Sequence, residues 1–143
     1  MISILLSTVA LGATLDGPVD LKQLADDSSS VVRGVVVEAH TLSERGDLHT
    51  VYTVAVEELL TGEADAEVVV TLPGGTWAGM TQRFAGVPTW SEGDEVVVFV
   101  PKAGVVRYAG LFTVDDHVLV NHLADRADVP RSVDALVEML LTD

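Results

Sequence analysis

The chain has 143 residues, the length of one ordinary domain, and 48% of them are hydrophobic, which excludes a disordered acidic tail. Eight basic residues against 22 acidic ones give a formal charge of −14, which argues against nucleic acid and anionic membrane surfaces as partners. With no cysteine, a disulfide framework, a thiolate metal site, a cysteine nucleophile and a lipid anchor on cysteine are all excluded. The acidic residues are scattered among apolar ones. That pattern predicts a solvated, soluble surface or adaptation to a saline habitat, and less often an attraction for cations or a basic protein.

Met1 to Leu15 carry no ionisable side chain, and Ile2, Ile4, Leu5, Leu6, Val9 and Leu11 make the stretch apolar. It is shorter than the about 20 residues that span a bilayer. It fits the apolar region of a secretory signal peptide over residues 1–13, with Ala10, Gly12 and Ala13 as small residues for cleavage. The expected location is therefore outside the cytoplasm, periplasmic or extracellular, with no membrane association once the signal is removed. No Lys or Arg precedes the apolar run, and the competing reading is a buried first strand.

Residues 16–143 read as one domain. Asp16 to Asp27 predicts a short helix, with Leu21, Leu24 and Ala25 on one face and Pro18 and Asp20 near its start. Strands follow at Val31 to His40, Thr50 to Leu60, Glu67 to Leu72, Glu95 to Val100 and Val105 to Val114, with a sixth at His117 to Val120. Valine clusters suit a pleated, half-buried surface, and Gly, Pro and Asp turns divide them. The prediction is a mainly β fold: a small closed or partly open antiparallel barrel of five to six strands, or a β-sandwich. Val35, Val37 and Ala39 are expected to share a core face with Tyr52, Val54 and Val56 across a hairpin folded about Glu44-Arg45. A C-terminal helix over residues 132–142 is capped by Ser132, with Val133, Leu136, Val137, Leu140 and Leu141 as its apolar stripe.

The same hairpin register sets His40 opposite His49 with Glu38 nearby, a ligand set suited to zinc. Two solvent-facing histidines at a loop mouth are the ordinary alternative. Asp115-Asp116 before a strand reads as a turn, and His117 and His122, five apart, are expected on opposite faces of a strand. No metalloprotease helix, nucleophile elbow or phosphate loop is present, and Glu57-Glu58 are expected on opposite strand faces. The long link from Pro73 to Trp90 holds Trp77, Met80, Arg83, Phe84 and Trp90, residue types enriched at interface centres. Alternatively it forms an extra hairpin over one end of the barrel, with its aromatics plugging the core.

The order of motifs resembles the netrin-like domain, the OB-type barrel of the tissue inhibitors of metalloproteinases. The residues that carry the resemblance are Ser30-Val31-Val32-Arg33-Gly34-Val35-Val36, Val51 to Gly62, Val68-Val69-Val70, Gly93 to Phe99 and a closing strand near Tyr108 to Phe112. The layout is also similar to uncharacterised exported bacterial proteins, some encoded beside secreted metalloproteases. The resemblance implies a partner such as a secreted protease, but the inhibitors' disulfides and zinc-blocking N-terminal cysteine have no counterpart here. The expectation is a non-catalytic exported binding module without a cofactor. The alternatives are a metal-dependent enzyme or metal carrier on His40, His49 and Glu38, and a barrel with a small-ligand pocket between sheet and C-terminal helix.

Overall fold

A computed structural model of the chain describes residues 20–102, 106–121 and 130–141. The predicted signal segment, the start of the first helix, Val105 and His122 lie outside the described residues. Helix α1 (Leu21–Asp26) opens on Asp20, whose carboxylate accepts from the backbone N–H groups of Lys22 and Gln23 at 3.0 and 3.3 Å. Eight strands follow: β1 (Ser28–Glu44), β2 (Asp47–Gly62), β3 (Glu67–Pro73), β4 (Gly75–Trp77), β5 (Met80–Gln82), β6 (Glu95–Pro101), β7 (Leu111–Asp115) and β8 (Val118–Asn121). A 3-10 turn at Tyr108–Gly110 leads into β7, where the sequence pattern had predicted continuous strand, and α2 (Val133–Leu141) ends the fold.

Six strands form one antiparallel sheet in the order β3-β2-β1-β6-β7-β8, and β4 and β5 form a separate hairpin. The fold is mainly β, as predicted, and the sheet does not close: β3 and β8 are its two ends. Its curl originates in β1 and β2, whose pairing slips between Val31 and Val32, between Arg33 and Gly34, and between Val36 and Glu38. Each slip is a bulge, an unpaired extra residue that bends the strand and increases its twist.

β6 is buried on both of its faces, which explains its uninterrupted valine run. Val96 and Val98 pack on the concave side with Val32, Val36, Tyr52, Val54, Val70, Leu72 and Trp90. Val97 and Phe99 face the other side, where Leu21 and Leu24 of α1 and Leu136 of α2 cover them with Phe112. Ser132 caps α2 as predicted, accepting from Ala135 N–H at 3.1 Å. Of the predicted stripe, Val133 and Leu140 pack beside Leu136 while Leu141 is exposed.

Two expectations about the first hairpin need correction. The turn sits at Arg45-Gly46, both with positive φ (54° and 86°), so Glu44 pairs with Asp47 rather than folding about Glu44-Arg45. Val36, not Val35 or Val37, enters the core with Tyr52 and Val54, because the bulge at Val37 inverts the alternation before Ala39. Val37 is exposed.

Candidate functional site

The long link from Pro73 to Trp90 folds into the β4–β5 hairpin, laid across the end of the β1–β2 hairpin. Gly74 N–H donates to Leu48 O at 2.7 Å, and the Thr50 hydroxyl donates to Gly74 O at 2.8 Å. The Gln82 side chain clamps from the other strand: its carbonyl accepts from Leu48 N–H at 2.8 Å and its amide donates to Gly46 O at 3.0 Å. Gly75 is needed where it stands, because a Cβ there would meet the Thr50 and Thr41 hydroxyls and its φ is +133°. The hairpin therefore rests on a fixed polar base.

At its far end, Ala78 and Gly79 make a two-residue turn with φ of 50° and 81°. Trp77 and Met80 pair across the strands beside that turn and are 48% and 40% exposed. Phe84 follows, 47% exposed, with Arg83 exposed beside it. Two large apolar side chains thus stand in solvent at the tip of a short, anchored ribbon, and a third beside its base. Trp90 is not among them. It is 4% exposed and closes the concave core, its ring edge-on to Tyr52 with centroids 5.2 Å apart. Its indole N–H donates to the Thr113 hydroxyl at 3.0 Å and its backbone N–H to the Tyr52 hydroxyl at 3.3 Å. Of the five predicted binding residues, Trp77, Met80, Arg83 and Phe84 are at the surface and Trp90 is the plug.

The predicted histidine pair does not form across the hairpin. Moving the turn by one residue shifts the register by two, so His40 stands opposite Val51 and His49 opposite Leu42, while Glu38 faces Thr53. Among the described residues no group of three His, Cys, Asp or Glu side chains is placed to hold a metal ion. Asp116 and His117 form the β7–β8 turn with φ of 51° and 69°, as the aspartate pair suggested.

Glu57 and Glu58 are also rearranged relative to expectation. The slip between Arg33 and Gly34 leaves Glu57 without a partner of its own on β1. In consequence both carboxylates reach one cation: Arg33 Nε donates to Glu58 at 3.0 Å and Arg33 Nη1 to Glu57 at 3.3 Å and Glu95 at 3.0 Å. The Glu58 carboxylate holds the guanidinium above its ordinary value, against a partly opposing effect of burial. Nothing in the sequence pattern announced this hub except a lone arginine within a valine run.

Between the sheet and the C-terminal helix, Leu21, Leu24, Val97, Phe99, Phe112 and Leu136 fill the interior. The remaining cleft there, about 260 Å³, lies at the margin and is lined by Lys22, Asp26, Ser28 and Thr61 among others. The chain matches no family model, no curated protein and no solved structure.

Proposed function

We propose that the chain is a non-catalytic protein-binding module, exported from the cytoplasm, whose contact surface is the β4–β5 hairpin with Phe84. One observation carries this reading: Trp77 and Met80 stand exposed at the turn of a ribbon whose base is fixed by four hydrogen bonds, and Phe84 stands exposed beside that base. Exposed large aromatics lose water on contact, and a pre-ordered ribbon loses little conformational freedom doing so. Arg83 beside them adds a planar cation of the kind enriched at interface centres. The apolar start of the chain supports export, and the netrin-like resemblance supports a secreted protease as the partner.

The test is capture from the native secretome by immobilised protein. The wild type is expected to retain a specific protein, and a variant carrying Trp77→Ala, Met80→Ala and Phe84→Ala to lose it while unfolding at the same urea concentration. Failure of the wild type to retain any protein, or equal retention by the variant, contradicts the reading.

A further inference from the structure

The two ends of the sheet are not equivalent. The outer side of β8 is covered: Val118 bridges Ser132, and Leu119 N–H donates to Arg131 O at 2.9 Å. The outer side of β3 has no such cover. Its ladder with β2 is bracketed by two backbone bonds, Val56 N–H to Ala66 O at 2.8 Å and Gly74 N–H to Leu48 O at 2.7 Å. Hydrogen-bonded and non-bonded pairs alternate in an antiparallel ladder. Those two bonds therefore fix the phase: Val68, Val70 and Leu72 turn their peptide groups to β2, while Glu67, Val69 and Thr71 turn theirs outward, with Pro73 offering only a carbonyl at the end of the row. Among the described residues nothing bonds to that outward row.

Sheet edges of this kind are usually blunted by charge, proline or a bulge. The distal part of β1, which pairs only with β2, follows the rule, with Glu38, His40 and Glu44 and the bulge at Val37. β3 does not. From Val68 to Leu72 it is regular and uncharged, and Val69 is 64% exposed. Directly along this edge runs an apolar slot of about 330 Å³ lined by Val69, Val70, Thr71, Val98, Val100 and Val106. At about 30 Å³ per water, that is room for roughly ten waters, or for several side chains in their place.

We propose that the outer edge of β3 is a strand-acceptor site for an extended peptide segment of another protein, separate from the hairpin surface. An outward row of N–H and C=O groups recognises backbone, so its natural ligand is a peptide in β conformation. The slot takes the side chains on one face of the added strand, which must be apolar because Val70, Val98, Val100 and Val106 line it. Glu63, Asp65 and Glu67 at the entrance to β3, on a chain of net charge −14, favour lysine or arginine on the ligand's outer face. A second copy would bring its own Glu63, Asp65 and Glu67 and a further charge of −14 against these, so a basic peptide is the favoured occupant.

The probe is a short peptide of alternating valine and lysine, added to the full chain labelled for backbone NMR. Binding is expected to slow amide exchange at Val69 and Thr71 about tenfold or more, with Val68, Val70 and Leu72 already protected by β2. A peptide of the same sequence, N-methylated along one edge, keeps charge and apolar surface and is expected not to bind. Thr71→Pro removes one outward donor at an edge position that tolerates proline, so it is expected to fold and to lose binding at least tenfold. Trp77→Ala is expected to leave peptide binding intact, which separates this site from the hairpin. Equal binding of the methylated peptide or by Thr71→Pro overturns the proposal. Concentration-dependent protection of Val69 and Thr71 without peptide also overturns it, by making a second copy the occupant.

Discussion

Trp77 and Trp90 flank one loop, yet their surroundings are opposite. Trp90 meets Tyr52 edge-on, has its indole N–H satisfied by Thr113 and is almost wholly buried, whereas Trp77 stands about half in water. Truncating a buried tryptophan removes apolar contact and leaves a cavity, typically costing about 3–5 kcal/mol, while an exposed substitution stays within about 0.5 kcal/mol. Trp90→Ala is therefore expected to lower the urea midpoint severely and Trp77→Ala hardly at all; similar losses for both would refute the assignment of plug and platform. The Arg33 hub makes a second point at this scale. Its three carboxylates come from the two strands that flank β1, Glu57 and Glu58 from β2 and Glu95 from β6, and the slip opposite Arg33 brings Glu57 in beside Glu58.

At the level of elements, the strands were legible because valine clusters bounded by Gly, Pro and Asp admit few other readings. Their register was not. Side-chain alternation has a period of two, so a hairpin shifted by two residues preserves every face, and only the positive φ at Arg45 and Gly46 decides for Glu44 against Asp47. Bulges left no trace in composition either, and they sent Val36 inward, Val37 outward and Glu57 toward Arg33. The extra hairpin expected in the long link is present, seated on the first hairpin with Trp77 outward rather than plugging the core, but the polar base that seats it, Thr50 and Gln82, was not foreseen, since neither residue stands out in sequence. That seat is testable at glycine. At Gly75 an added Cβ meets Thr50 and Thr41 as well as an unfavourable φ of +133°, whereas at Gly79 only the backbone, φ +81°, resists it. Gly75→Ala is expected to cost about 3 kcal/mol in urea unfolding and Gly79→Ala about 1 kcal/mol. Equal costs would show that β4 does not press on the first hairpin.

The whole molecule is a curled, open sheet with a core on each face and a charge of −14 on its exterior. Raising the pH adds further negative charge to a molecule that already repels itself. Tyr108 sharpens this dependence, because burial holds its phenol above the ordinary 10.0. With the folded value raised above the unfolded one, its contribution is fully present below 10.0 and is lost as pH rises through the folded value. Urea midpoints are expected to fall across that alkaline window, and to fall less in Tyr108→Phe; an identical decline in both proteins would remove Tyr108 from the account. Finally, β6 gives Val96 and Val98 to one interior and Val97 and Phe99 to the other. A single strand is the common wall of two rooms, so neither can be dismantled while the other stands. Melting should then be all-or-none, with tryptophan fluorescence on the concave side and helical ellipticity on the convex side vanishing together.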